Sequence, residues 1–248
     1  MAVRWPTFRG RPLLAASARW PAGGLIALCA IVIAVLGSLT AHQSQANSVD
    51  ARIDAAIIAR LVAHMHAADL VVELGNQRTV TIICAVLVLA CLALRRPRGA
   101  VLIVVSVLVA GGLTENVLKP LFGRTLGGAL SFPSGHETGV SSMAVAVIVV
   151  LAGPARPRLP AALRWLLMAV AAAAVVALSP ALVAVHFHYF SDTIGGVVVG
   201  IGTVLATALV VDPVTARLAR ARAARAGPDA PTPAGDGMTT AARGLPPA

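Results

Sequence analysis

The sequence predicts an all-α protein that crosses a membrane six times, and two observations lead to this fold class. Of its 248 residues, 58% are hydrophobic and 12% are charged, and the mean hydropathy is +0.85. This composition is too apolar for a soluble domain. The second observation is a series of apolar runs that each approach the ~20 residues needed to cross a bilayer. They cover approximately residues 25–39, 78–94, 100–118, 134–153, 163–178 and 192–211.

The charge of the chain indicates how it is oriented. The net charge is +10 and the isoelectric point is about 11.4, which in a soluble protein would suggest nucleic acid. Here the basic residues lie mostly between apolar runs, so we predict no nucleic-acid partner. If the six runs alternate sides, fifteen of the twenty Lys and Arg residues fall on one side. The positive-inside rule makes that side cytoplasmic and predicts a multi-pass protein of the cell membrane.

Three regions follow from this pattern. Residues 1–21 form a basic cytoplasmic N-terminus, and the apolar run after it lacks a clear cleavage site, so we interpret it as a membrane helix rather than a signal peptide. Residues 22–212 form the six-helix membrane domain. Residues 213–248 form a basic cytoplasmic tail whose Pro/Gly/Ala-rich composition predicts disorder.

Residues 41–76 are more polar than the runs on either side. Apolar residues recur there every four positions, with Asp50, Asp54 and Arg60 between them. The apolar positions are Val49, Ile53, Ile57, Leu61 and Met65. This period predicts an extracytoplasmic amphipathic helix, which either covers a site as a lid or rests on the membrane surface. His64 and His66 are two residues apart and point in different directions on a helix, so we assign them to solvated surface rather than to a metal.

No metal or other cofactor is predicted. Cys29, Cys84 and Cys91 lie inside apolar runs, where we expect small buried hydrophobes rather than disulfide partners or ligands. No Cys/His spacing or carboxylate cluster is typical of a metal site. Glu115 and Asn116, near the end of the third run, either assist a substrate or mark the end of a helix.

The stretch from Ser131 to His136 predicts an anion site at the start of the fourth run. Pro133 favours a helix start, Ser134 is a suitable cap, and Gly135 allows the backbone to approach a ligand closely. The free N–H groups of a first turn and the helix dipole bind anions, and phosphate is the usual one. His136 would place a proton donor beside that anion.

Other polar residues converge on the same side of the membrane. Alternation of the six runs places the loops with Lys119, Arg124, His136, His188 and Asp192 together, on the side opposite the basic loops. If the sixth helix begins by His188, the spacing of four residues puts Asp192 beside the imidazole. These residues are therefore predicted to form one extracytoplasmic site.

Phosphoryl transfer needs cationic groups for the phosphate oxygens, an in-line nucleophile and a proton for the leaving group. Lys119 and Arg124 supply charge, and the helix start supplies N–H donors. A carboxylate on one nitrogen of His188 fixes the tautomer and leaves the other nitrogen free to attack phosphorus. His136 is placed to protonate the leaving group. The predicted mechanism forms a phosphohistidine that water then hydrolyses without a metal.

These motifs resemble the type-2 phosphatidic acid phosphatase superfamily, integral-membrane lipid phosphatases that share a core with vanadium haloperoxidases. The family pattern has three parts, K-x6-R-P, P-S-G-H and S-R-x5-H-x3-D. Lys119 matches the first part, residues 133–136 complete the second, and residues 188–192 match H-x3-D. The resemblance implies that His188 is the nucleophile, His136 the acid, and Asp192 the partner of His188. It covers about residues 22–212 and implies a phospholipid or polyprenyl phosphate as substrate.

The chain departs from the family pattern at two arginines. Leu126 stands where the first part has arginine, with Arg124 two positions earlier, and residues 181–182 are Ala-Leu where the third part has Ser-Arg. His186 either replaces a lost arginine at the phosphate or fills the membrane interface. Glu137 is either a first-turn acid favoured by the helix dipole or a group that tunes His136.

The departures leave a second function open. A protein that kept the fold and lost turnover would bind a lipid phosphate without hydrolysing it. A transporter is disfavoured, because no pair of broken helices with charge at mid-membrane depth is present. The sequence leaves the lipid and the oligomeric state undetermined.

Overall fold

The computed structural model describes residues 12–153 and 159–225, and this part of the chain is almost entirely helical. The α-helices are α1 (Arg19–Thr40), α2 (Ser48–Leu61), α3 (Met65–Val72), α4 (Gln77–Ala93), α5 (Pro97–Leu113), α6 (Lys119–Phe122), α7 (Gly135–Ala152), α8 (Ala161–Ala184) and α9 (Phe190–Arg225). Single turns of 3₁₀ helix cover Ala16–Ala18, Val62–His64 and Glu73–Gly75, and a π-helical turn covers Thr114–Leu118. A short antiparallel hairpin pairs β1 (Thr125–Leu126) with β2 (Ala129–Leu130).

By length and hydropathy, six helical segments of the described residues are able to cross a membrane, but they are not quite the six predicted. They are Ala16–Thr40, Ser48–Gly75, Pro97–Phe122, Gly135–Ala152, Ala161–Ala184 and Phe190–Ala221. The segment Ser48–Gly75 thus takes the place of α4, which has only 17 residues. Contacts at the ends of these two segments decide which of them crosses.

Both ends of Ser48–Gly75 lie at one end of the helix bundle. Near its start, Asp50 accepts a hydrogen bond from the backbone N–H of Ser191, at the start of α9. At its end, a Cβ on Gly75 would lie 2.7 Å from the Cβ of His136, at the start of α7. A straight 28-residue helix would instead separate its ends by about 42 Å. The segment therefore turns back at the 3₁₀ turn Val62–His64, between α2 and α3, and does not cross. We call this end of the bundle the motif end.

The short helix α4 does cross. It starts two residues after Gly75 at the motif end, and soon after its last residue Arg96 donates to the carbonyl of Val150, 2.9 Å away near the end of α7. Its 17 residues span about 25 Å, slightly less than the ~30 Å hydrocarbon core. The prediction of an all-α membrane fold with six crossings and one amphipathic segment is thus confirmed.

Helices α7 and α9 form the centre of the bundle. In each of these two helices, 56% of an 18-residue apolar stretch is buried, compared with 17% for the segment of α1 and 22% for α8. They approach closely because α9 presents glycine to small residues of α7. A Cβ on Gly200 would lie 2.9 Å from the backbone nitrogen of Ser142, and Ser141 donates to the carbonyl of Gly196.

Two helix ends differ from the predicted boundaries. Helix α8 continues through Pro180 to Ala184, because neighbouring helices in a membrane bundle can satisfy the backbone groups that a proline frees. Helix α9 continues past Pro213 to Arg225, so residues 213–225 are helical and the predicted disorder is wrong for them. Asp212 fixes this region by accepting from the backbone N–H groups of Leu13 and Leu14. The rest of the predicted tail and most of the basic N-terminus lie outside the described residues.

Candidate active site

The start of α7 has the geometry of an anion site. Ser134 is the N-cap, and its hydroxyl accepts from the N–H of Glu137 at 3.3 Å. Pro133 precedes the cap and does not begin the helix as predicted. The N–H groups of Gly135 and His136 have no acceptor within their own helix. The N–H of Ser134 donates to the carbonyl of Asp192 at 3.0 Å, which joins the starts of α7 and α9.

The two histidines face each other across this helix start. The ring centroids of His136 and His188 are 6.0 Å apart, and the rings are inclined at 65°. At this separation both imidazoles can reach one anion bound beside them at the start of α7. The backbone at Gly75 packs against the Cβ of His136, so the amphipathic segment supports this imidazole from behind.

The partner of His188 is Asp192. Nδ1 of His188 lies 3.5 Å from Oδ2 of Asp192, and that oxygen also accepts from the N–H of Tyr189 at 3.2 Å. Helix α9 starts at Phe190, so His188 precedes the helix rather than beginning it. The two side chains still approach to this distance, because the intervening residues close a turn in which the N–H of Asp192 donates to the carbonyl of Tyr189.

Lys119 lies at the mouth of the site with Glu115. The ammonium of Lys119 is 2.8 Å from a carboxylate oxygen of Glu115, and both side chains stand beside Gly135. A Cβ on Gly135 would collide with the Glu115 carboxylate and lie 3.7 Å from Nζ of Lys119. Lys119 is therefore within reach of an anion at the start of α7. The π-helical turn that carries Glu115 is a feature that recurs at functional sites.

Arg124 is fully buried between two carboxylates. Its Nη1 is 2.5 Å from Asp192 and its Nη2 is 2.6 Å from Asp50. The guanidinium also lies over the ring of Tyr189, with the carbon Cζ 4.2 Å from the ring centroid. Its phosphate-binding role stays a prediction, because both terminal nitrogens are engaged with acidic side chains.

Asp50 is a residue of the candidate site that the sequence motifs do not identify. The sequence predicts it on the polar face of an amphipathic helix, yet its exposed fraction is only 1%. Asp54, one turn later, accepts from the N–H of Phe190 at 3.1 Å, and burial raises the pKa of its carboxyl to about 6. Two carboxylates four residues apart on one helix face were the available signal, but nothing in the sequence identified their partners.

The two accessory candidates lie in different surroundings. Glu137 is fully buried, and its carboxylate accepts from the hydroxyl of Ser179 on α8 at 3.1 Å, so it points into the bundle. His186 is exposed in the turn after α8, with a φ of 59°. His64 and His66 are both exposed, as expected of solvated surface.

The two leucines that stand at the arginine positions of the family pattern differ in burial. Leu126 is half-buried in the hairpin β1–β2. Leu182 is fully buried in an apolar cluster with Leu178 and Val72. Among the described residues, no group of three or more His, Cys, Asp or Glu side chains is arranged to hold a metal ion.

The fold is that of a polytopic helical membrane protein, and its candidate site brings two histidines together at a helix start. A model of the PAP2 superfamily matches residues 125–215, which include His136, His188 and Asp192. The resemblance to that superfamily is thus confirmed. The fold is similar to the crystal structure of a transmembrane PAP2-type phosphatidylglycerolphosphate phosphatase from Bacillus subtilis, with a TM-score of 0.57. The two chains are 17% identical, and the match covers 79% of this chain and 96% of the other. No curated protein matches the sequence.

Proposed function

We propose that the protein is a lipid phosphatase that removes phosphate from a lipid phosphate or diphosphate through a phosphohistidine on His188. The observation that carries the proposal is the 6.0 Å separation of the His136 and His188 rings at the N-terminus of α7. This arrangement places a nucleophile and an acid next to each other and beside backbone N–H groups that can stabilise an anion.

In the first step, Nε2 of His188 attacks phosphorus and the bond from phosphorus to the leaving oxygen breaks, which is the lipid oxygen of a monophosphate or the bridging oxygen of a diphosphate. The electron pair of that bond stays on the departing oxygen, which takes a proton from His136. Asp192 holds Nδ1–H of His188 and stabilises the positive charge that develops on the ring. The backbone N–H groups of Gly135 and His136, together with Lys119, compensate the charge on the phosphate oxygens.

In the second step, water attacks the phosphohistidine. His136, now neutral, takes a proton from the water, and the bond from phosphorus to Nε2 breaks with its electron pair returning to the ring. Inorganic phosphate leaves, and both histidines return to their starting protonation states. No proton or electron is required from a cofactor.

A lipid substrate is supported by the surroundings of the site. An apolar cavity of about 460 Å³ lies between α4 and α8 and starts at Leu74, next to the residue that packs against His136. It continues along α7 past Val140 and Val147 to Leu151. A phosphate at the start of α7 would therefore have an apolar path for its tail along the same helix.

The proposed site lies on the extracytoplasmic face of the cell membrane. The charge count supports this orientation, because fifteen of the twenty Lys and Arg residues are assigned to the opposite side. The candidate substrates are a polyprenyl diphosphate, phosphatidic acid and phosphatidylglycerophosphate. The B. subtilis phosphatase of similar fold acts on the last of these, so it belongs in any substrate panel.

The second candidate function is binding without turnover. It is favoured by Leu126 and Leu182, which replace two arginines of the family pattern. Each lost charge-assisted contact would cost about 1.5–3 kcal/mol, or roughly one to two decades in affinity. Excess protein would then bind the lipid phosphate and release none of it.

The test is phosphate release from the three lipids by purified protein in detergent, with and without a chelator. We expect release from at least one lipid, no effect of the chelator, and loss of release in His188→Ala and in His136→Ala. Binding of a lipid phosphate with no release from any of the three would support the second function instead. Activity retained by His188→Ala would reject the phosphohistidine.

A further inference from the structure

We propose that Asp50 is a positioning residue, which holds Arg124 against Asp192 and thereby sets the orientation of Asp192 toward His188. The inference rests on the proposed phosphatase function and deepens it. It also gives the amphipathic segment a role in the reaction, beyond lying on the membrane surface or covering the site.

The first support is a buried chain of charges. Asp50, Arg124 and Asp192 follow one another at 2.6 Å and 2.5 Å, and their side chains are 2%, 0% and 0% exposed. A buried carboxylate that loses its partner is costly, and so is a buried guanidinium. Each of these three groups therefore restricts the positions open to the next one.

The second support is a link through Ser191, the residue before Asp192. Its hydroxyl donates to Asp50 at 2.8 Å and lies 2.7 Å from Nη1 of Arg124. Its backbone N–H donates to the other oxygen of Asp50 at 3.0 Å. Asp50 thus holds the first turn of α9 by both the side chain and the backbone.

The third support is that Asp50 is itself fixed. Asn47 caps α2, accepts from the N–H of Asp50 at 2.9 Å, and donates from its side-chain amide to Asp50 at 3.0 Å. The connection between α1 and α2 is hydrogen-bonded to the segment that carries Arg124, because the N–H of Thr125 donates to the carbonyl of Gln43. Helix α2 and Arg124 therefore form one unit.

The two oxygens of Asp192 have separate partners as a result. One is bound by Arg124, and the other faces Nδ1 of His188 at 3.5 Å. Arg124 is held toward Asp192 by Asp50, so the guanidinium is kept from turning toward a phosphate. The structure assigns this arginine to support of the nucleophile. Loss of Asp50 should then slow the chemical step and leave substrate binding intact.

The experiment measures kcat and KM for phosphate release from the best lipid of the panel. The variants are Asp50→Asn, Asp50→Glu and the matched control Asp69→Asn, which changes an exposed carboxylate on α3 of the same segment. We expect Asp50→Asn to lower kcat by about 10- to 100-fold, the value of one charge-assisted hydrogen bond, with KM unchanged. Asp50→Glu should recover part of kcat, and Asp69→Asn should match the wild type.

Two results would overturn the inference while the wild type remains active. A wild-type kcat in Asp50→Asn would show that Asp50 does not position the site. A lower KM in Asp50→Asn with kcat retained would show that Arg124, once released, binds phosphate. A wild-type protein that releases no phosphate would instead reject the phosphatase proposal, and this inference with it.

A folding defect would be visible in the elution profile and thermal unfolding of Asp50→Asn in detergent. Ser191→Ala then takes its place, because it removes only the hydroxyl that joins Asp50 to Arg124. We expect a smaller fall in kcat, about 3- to 10-fold, because the direct contacts of Arg124 with Asp50 and Asp192 remain, again without a change in KM. An unchanged kcat in a folded Ser191→Ala would overturn the inference.

Discussion

At the scale of single residues, Arg124 and Asp50 illustrate what a sequence pattern does not contain. The motifs identified His136, His188 and Asp192, because their spacings follow local rules of helix starts and turns. The neighbours of Arg124 come from α2 and α9, 74 and 68 positions away. No local rule pairs residues at such distances, so Asp50 was predicted only as a polar position on an amphipathic helix.

Leu182 allows a residue-scale prediction about the missing arginine. The family pattern has arginine there, but the leucine side chain is fully buried in an apolar cluster. Leu182→Arg should therefore lower the thermal unfolding temperature rather than improve phosphate binding, since an unpaired buried charge costs roughly 3–5 kcal/mol. Leu182→Met is the control, because it conserves volume and costs less than about 1.5 kcal/mol. A lower KM in a stable Leu182→Arg would contradict this account.

At the scale of elements, the helices were predicted well and their ends less well. Long apolar runs identify membrane helices because every backbone polar group in lipid must be satisfied within the segment. The ends at Pro180 and Pro213 were predicted too early, since proline disfavours helix continuation in water but is tolerated in a membrane bundle. The polar residues of Ser48–Gly75 predict an amphipathic helix that does not cross, and the segment does fold back. Its mean hydropathy alone would allow it to cross the membrane.

The contact between α7 and α9 gives the element-scale prediction. A methyl group on Gly200 would meet the side chain of Ser141 and the backbone of Ser142. Gly200→Ala should therefore destabilise the protein by about 1–3 kcal/mol through overpacking. Gly111→Ala is the matched control on α5, where a Cβ meets nothing within 4 Å, and it should stabilise the helix by about 0.5–1 kcal/mol. Thermal unfolding in detergent measures both, and equal effects would contradict the proposed close approach.

At the scale of the whole molecule, the charge pattern predicts which side of the membrane holds the site. Crossing by α4 or by Ser48–Gly75 leaves Lys119, His136 and His188 on the same side, because either choice gives one crossing between α1 and α5. The choice decides instead on which side Gly75 lies. The contacts of Asp50 and Gly75 at the motif end support crossing by α4.

Single cysteines at exposed positions test this orientation in intact cells. Gln77→Cys lies at the start of α4 at the motif end, and Ala161→Cys lies at the start of α8 at the opposite end. A membrane-impermeant maleimide should label the first from outside and the second only after the cells are opened. The native cysteines are replaced by serine in both variants. The reverse labelling pattern would place the site in the cytoplasm.

The measurement that tests the central claim most directly is capture of the covalent intermediate. A lipid phosphate labelled in its phosphate group is mixed with excess protein, the reaction is stopped within milliseconds in alkali, and the modified residue is identified by mass spectrometry. The account predicts a phosphate on His188 that is lost in acid, stable in alkali and missing from His188→Ala. Steady turnover with no phosphate on the protein, or with the phosphate on another residue, would contradict it.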